Sequence, residues 1–185
     1  MAAEVRWRVA PGTWEDAEAL VGKEITRSEG VDPVNLPDIR RRLEVLAWDS
    51  PIHYDAEAAR AVGHDGIVSP ATMVVSWCLP AYWTPGDRRP EPGDPVLMPN
   101  YPFPNIPAPG TALFAAGCKT RYFADAHPGD RISSRSTLLS VTRKRLRIGD
   151  GAFMVVRTDY FKQPDTLVAT EDMTVFRYTP EQEAA

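Results

Sequence analysis

Residues 69–83 read Ser69-Pro70-Ala71-Thr72-Met73-Val74-Val75-Ser76-Trp77-Cys78-Leu79-Pro80-Ala81-Tyr82-Trp83, the most apolar stretch of the chain. The segment predicts a helix. Ser69 is a good N-cap, and Pro70 suits the first helical position, where a missing N–H costs nothing. Apolar side chains run nearly all the way round, so the helix belongs inside its domain. Pro80 lacks the N–H that would continue the ladder, and it ends or kinks the helix.

On the N-terminal side the chain predicts short elements. Trp14, Ala17, Leu20 and Val21 recur at helical spacing within residues 12–22, and Gly22 stops that helix. Residues 23–30 suit a short strand around Glu24, Ile25 and Thr26. Residues 36–47 predict an amphipathic helix with Leu36, Ile39, Leu43, Leu46 and Ala47 on one face. Pro37 fits its first turn, and Asp38 and Arg42 form an i,i+4 pair on the other face. Pro51 disfavours helix at Ser50, so the chain turns there. Asp55 then caps a small helix of alanines that Gly63 ends.

On the C-terminal side, residues 80–109 hold ten of the eighteen prolines and form no regular element. Val96, Leu97, Met98, Tyr101, Phe103 and Ile106 make this loop too apolar for a plain linker, and an ordered lid or interface strap is expected beside the alternative of a mobile loop. The last third is β. Residues 112–125 have strand composition, and His127-Pro128-Gly129-Asp130 is a turn. Ile132 to Val141 is a second strand, and Ile148-Gly149-Asp150-Gly151 signals a hairpin. In residues 152–161, Phe153, Val155, Arg157, Asp159 and Phe161 share one face, and Met154, Val156, Thr158 and Tyr160 the other. Gln163-Pro164-Asp165 turns again, and Leu167 to Tyr178 closes the sheet. Short helices, a buried helix, a long loop and an antiparallel meander make an α+β protein. A curved antiparallel sheet wrapped around a buried central helix is a hot-dog fold.

The 185 residues predict a single domain, 1–185, large enough to bury a core without staples. A net charge of −4 gives no global attraction to nucleic acid or an anionic membrane, although a local basic patch can still hold an anionic cofactor. No run approaches the ~18 apolar residues of a membrane span, and Met1–Val9 has no apolar core of a signal peptide, so a cytoplasmic protein is expected. Cys78 and Cys118 have apolar neighbours and no metal spacing, and they read as reduced, buried thiols. No G-x-S-x-G elbow, phosphate-binding glycine loop or metal cluster is present, which argues against a serine hydrolase, an NTPase and a metalloenzyme.

The run Ser50-Pro51-Ile52-His53-Tyr54-Asp55, with Ala58-Ala59-Arg60, Gly63, Gly66-Ile67-Val68 and Ser69-Pro70, resembles the MaoC-like hydratase family, in its N-terminal dehydratase-domain branch. Tyr122-Phe123 with Pro128-Gly129-Asp130, Arg147 with Gly149 and Gly151, Tyr160-Phe161 and Leu167-Val168-Ala169-Thr170 continue the pattern, so the resemblance covers residues from about 20 to 178. It implies a hot-dog fold that pairs as a homodimer, or as a heterodimer with another hot-dog protein. It also implies a CoA or acyl-carrier pantetheine thioester as substrate, with no metal or redox cofactor. The implied reaction is enoyl thioester hydration, or dehydration of a 3-hydroxyacyl thioester.

That reaction needs a base for water, a proton for the α-carbon and donors for the thioester oxygen. His53 aligns with the family's catalytic histidine; otherwise it is a half-buried histidine bonded to backbone. The family carboxylate stands five positions before that histidine, where this chain has Trp48, with Asp49 one residue later. Asp49 is therefore the candidate partner, or else a turn aspartate bonding local amides. The backbone amides of Ala71 and Thr72 are the candidate oxyanion donors. Arg143 and Arg145, in a basic run with Lys144 and Arg147, are candidates for CoA phosphates or a solvated strand end. Tyr101, Phe103 and Trp83 either line an acyl tunnel or pack the loop, and His64 and His127 read as surface residues. The displaced carboxylate opens the alternative of a non-catalytic acyl-binding subunit of a heteromeric hydratase; a hot-dog thioesterase is a third reading, which the histidine motif disfavours.

Overall fold

The computed structural model describes residues 9–89, 91 and 101–180. Thr13 and Asp16 form a reciprocal capping box that starts α1 (Trp14–Glu18), and the chain then turns at Gly22 into β1 (Glu24–Glu29). Asn35 caps α2 (Leu36–Leu46), which buries Ile39 and Leu43 while Leu36 and Leu46 stay near half exposed. The acidic group of its first turn pairs with Arg41 at 2.7 Å, not with Arg42 as the spacing predicted. A 3-10 turn (Pro51–His53) leads to α3 (Ala56–Ala61), whose first amides are accepted by the Asp55 carboxylate. A second 3-10 turn (Ala71–Met73) runs into α4 (Val74–Trp77).

The strands β2 (Ala112–Tyr122), β3 (Ile132–Leu146), β4 (Gly149–Lys162) and β5 (Thr166–Pro180) join β1 in one antiparallel sheet, ordered β1-β3-β4-β5-β2. This is the expected hot-dog layout. The even positions of β4 face the core, as the alternation predicted: Met154, Val156 and Tyr160 are buried, while Phe153, Val155, Arg157 and Asp159 are half-buried on the other face. The β3–β4 hairpin turns at Arg147-Ile148, one step before the predicted glycines. Gly149 and Gly151 instead open β4, where a Cβ would meet the Thr179 and Arg177 carbonyls at 2.0 and 2.3 Å.

The central helix is much shorter than predicted. Helical residues cover only 71–77, and Val75 and Leu79 are exposed. Ser69 does not cap it; its hydroxyl accepts from the Trp77 indole N–H at 2.8 Å. One apolar cluster gathers α2 and α4 against Ile132, Tyr160, Val168 and Ala169. A second sets Phe103, Ile106 and Ala108 on Leu138, Met154, Val156 and Val175. The loop end at 101–110 is thus a buried strap, and Phe103 fills the core instead of lining a tunnel. Val96, Leu97 and Met98 lie outside the described residues. Neither cysteine forms a disulfide among the described residues, but Cys118 is exposed on β2, contrary to the expectation of burial.

Candidate functional site

Helix α2 ends with Ala47 in the left-handed conformation, and the Trp48 amide returns to the Leu43 carbonyl at 3.0 Å. That reversal delivers Trp48 and Asp49 to the turn before His53. Pro51 then nucleates the 3-10 turn, with the Tyr54 and Asp55 amides donating to its carbonyl. Val68 holds the turn from the other side. Its amide donates to the Ile52 carbonyl at 3.0 Å, and its carbonyl accepts from His53 Nδ1 at 2.7 Å.

A carbonyl only accepts, so Nδ1 carries the proton in that bond, and Nε2 of the neutral ring is left as an acceptor. His53 is 5% exposed, with the Trp48 ring edge-on at 4.9 Å. Trp48, Asp49, His53 and Tyr54 line one cavity of about 580 Å³, together with Leu36, Leu43 and Ile67. The cavity is mostly apolar, as a site for an acyl chain would be.

Asp49 and His53 are thus brought to one cavity, but they are not joined. Asp49 Oδ1 accepts from the Tyr54 hydroxyl at 2.5 Å, and that bond pushes the Tyr54 phenol above its ordinary pKa. No hydrogen bond links Asp49 to His53 among the described residues. The indole of Trp48, at the position where the resemblance expects a carboxylate, packs on the imidazole. Tyr54 was not picked out from the sequence, because nothing local marks a tyrosine five residues past an aspartate as its partner.

The remaining candidates lie elsewhere. Ala71 lines a separate cavity of about 290 Å³ with Ser69, Trp77, Tyr122 and Phe123, and Thr72 is exposed. Neither amide has a backbone acceptor among the described residues. Arg143 is held by Glu15 and Glu18 at 2.5 and 2.9 Å, and Arg145 meets Asp150 at 3.4 Å, so both candidate arginines already pair with carboxylates. His64 is not a plain surface residue; its Nδ1 lies 2.6 Å from Asp125. His127 is likewise half-buried and bonds the Ile67 carbonyl at 3.0 Å. No group of His, Cys, Asp or Glu among the described residues is placed to hold a metal, and no described helix is long and apolar enough to cross a membrane.

Residues 19–171 match the family model described as the FAS1-like, dehydratase domain region. A probable enoyl-CoA hydratase alpha subunit of Thermomonospora curvata is 30% identical over 169 residues, covering 89% of this chain and 51% of that protein. The 3-oxo-4,17-pregnadiene-20-carboxyl-CoA hydratase alpha subunit of Mycobacterium tuberculosis is 32% identical over 126 residues, covering 66% and 38%. The chain therefore spans about half the length of the first curated relative, and less of the second. Among solved structures, a chain of the ChsH1–ChsH2 complex from Mycobacterium tuberculosis superposes with a TM-score of 0.69 at 24% identity, covering 92% of this chain and 91% of that one.

Proposed function

Because the chain belongs to the FAS1-like dehydratase-region family, we propose that it is a subunit of a hydro-lyase acting on acyl thioesters, working with a second hot-dog protein. The complex hydrates enoyl-CoA or enoyl-carrier thioesters, or runs the reverse dehydration. One observation supports the division of labour: Asp49 accepts from Tyr54 and not from His53, whose ring is packed against Trp48, the position at which the resemblance expects a carboxylate. This chain then supplies the apolar wall for the acyl group, and the partner supplies the carboxylate that shares the attacking water. The name "alpha subunit" borne by the relatives supports the partnership.

The hydration step balances without a metal or redox cofactor. Water adds its oxygen to the β-carbon and a proton goes to the α-carbon, while charge gathers on the thioester oxygen. The amides of Ala71 and Thr72, without a backbone acceptor among the described residues, remain the donors proposed for that oxygen, although Ala71 lines a cavity separate from that of His53. Use of the acyl-CoA pool, with neither cysteine in a disulfide among the described residues, supports a cytoplasmic location.

A second reading keeps the chemistry in this chain alone, as a homodimer with His53 as base and Asp49 as its carboxylate. The cavity they share favours it, as does the acceptor nitrogen of His53. Loss of conjugated enoyl-CoA absorbance, followed with the purified chain alone, separates the two. The subunit reading expects enoyl-CoA binding without turnover, and turnover appearing when Trp48→Asp restores the carboxylate. Turnover by the wild-type chain, abolished by His53→Ala and by Asp49→Asn, overturns it in favour of the homodimer.

A further inference from the structure

A cavity of about 440 Å³ lies where β1 ends and β3 begins, beside the β4–β5 turn. Alternation through the start of β3 sets Arg131, Ser133 and Arg135 on the outer face of the sheet, opposite the buried Ile132. Register places Arg27 of β1 directly across from Arg135, and Glu29 across from Ser133. These five residues and Gln163 of the turn line the cavity.

Like charges directly opposite each other weaken a strand pair, so Arg27 and Arg135 need counter-charges. Glu24 holds Arg27 through two bonds of 3.0 Å. Arg135 is less committed. Its guanidinium lies over the Phe161 ring, 5.0 Å from the centroid, which steadies the fork. Its ion pair, to an exposed Asp165, is long at 3.7 Å, and its β4 neighbour Asp159 forms no bond with it among the described residues. Arg131 pairs with no carboxylate among the described residues, and one of its N–H groups reaches the Val31 carbonyl at 3.4 Å. Two guanidinium groups therefore face one cavity with most of their donors unused.

Arginine forks beside a hydroxyl suit phosphate oxygens. Glu29 narrows the choice. Its carboxylate has no hydrogen-bond partner among the described residues, and it repels a bare anion. A phosphorylated nucleoside meets both demands: its phosphates accept from the guanidinium groups, and its ribose hydroxyl or base amine donates to Glu29. CoA ends in such a group, whereas the pantetheine of a carrier protein has no nucleoside. The position also suits a CoA ester. Arg131 bonds Val31, the Val34 amide donates to the Asp130 carbonyl at 2.9 Å, and Leu36 and Pro37 line the acyl cavity. From Val31 to Leu36 the chain spans at most about 18 Å, which a pantetheine arm can bridge.

We propose that this cavity binds the nucleotide end of CoA, with Arg131 and Arg135 on its phosphates and Glu29 on its ribose or base. The inference rests on the acyl thioester reading above and narrows the substrate class to CoA esters.

The test is calorimetric binding to the full chain of one saturated acyl group carried on CoA, on 3′-dephospho-CoA and on pantetheine. The CoA ester should bind most tightly and the pantetheine ester least, with roughly 10-fold for each guanidinium engaged. Arg131→Gln and Arg135→Gln should each weaken the CoA ester by about that factor and leave the pantetheine ester unchanged. The double variant should bind all three esters alike, with the unfolding midpoint of the wild type, since both side chains reach solvent. Equal wild-type affinity for the three esters overturns this inference and leaves the thioester reading intact. So does a double variant that still prefers the CoA ester, or one that loses all three equally. Failure of every ester to bind overturns the thioester reading, and this inference with it.

Discussion

Arg177→Met should cost this protein about 3–5 kcal/mol of stability. Arg177 is 1% exposed and donates to the carbonyls of Ala10, Ile106, Ala108 and Gly110 at 3.0, 2.7, 2.6 and 3.0 Å. No carboxylate pairs with it among the described residues, and burial lowers its guanidinium pKa. Four hydrogen bonds from a charged donor amount to about 6–12 kcal/mol gross. The desolvation of the buried cation takes back several kcal/mol of that. The loss is also capped, because a strap left with orphaned carbonyls can detach into water. Detachment exposes Phe103 and Ile106, worth about 1.5–3 kcal/mol each. With a urea slope of about 2 kcal/mol/M, the unfolding midpoint should fall by roughly 2 M. Amide exchange should show protection lost first at residues 101–110. A midpoint shift under about 0.5 M, with those amides still protected, would refute the idea that one buried arginine holds the strap.

Three other expectations can be checked by unfolding. Asp172 is held below the usual carboxylate range by its two bonds from Arg157, at 2.7 and 2.8 Å. Its stabilisation is therefore present above about pH 4 and lost as pH falls through the lowered folded-state value; Asp172→Asn should trail the wild type at neutral pH and converge with it in acid, and a pH-independent gap contradicts this. Asp159 has the opposite sign, because burial raises its pKa. Asp159→Asn should stabilise the protein at neutral pH, with the gain vanishing below about pH 4; destabilisation at neutral pH contradicts it. Gly30→Ala would place a Cβ 1.9 Å from the Trp77 carbonyl, between β3 and the end of α4. It should cost about 1–3 kcal/mol in thermal unfolding, and an unchanged melting temperature would mean that the two elements separate freely.

Local chemistry was legible in the sequence because its partners lie a few residues apart. The Asp55 cap, the stop at Gly63, the turn at Pro128-Gly129 and the two faces of β4 all follow from neighbouring residues, and all are found. Alternation along a strand shows which side chains share a face, and a buried helix packed on a curved meander already suggested the hot-dog fold. The apolar run at 69–83 is buried on one side only: Met73, Val74, Trp77 and Cys78 are buried, whereas Val75, Leu79, Tyr82 and Trp83 are exposed, and its conformation differs from the expected long helix. Trp77 and Cys78 are buried, yet the helix is short because tertiary contacts compete for its ends: the Ser28 hydroxyl takes the Cys78 carbonyl, and the Trp77 indole takes Ser69.

The candidate site divides along the same line. His53 could be named from its motif, whereas its tautomer depends on a carbonyl fifteen residues away. Asp49 was a plausible partner until the fold gave it to Tyr54. Arg143 looked available for phosphate until α1 brought Glu15 and Glu18 across to it, more than 120 residues distant in the chain. Arg177 carried no sequence signal, since its acceptors are backbone carbonyls from as far away as Ala10. Residue type and spacing set which local bonds can form. Competition among distant groups for the same donors and acceptors is settled only when packing fixes their positions, and that competition decided which side chains were left for chemistry.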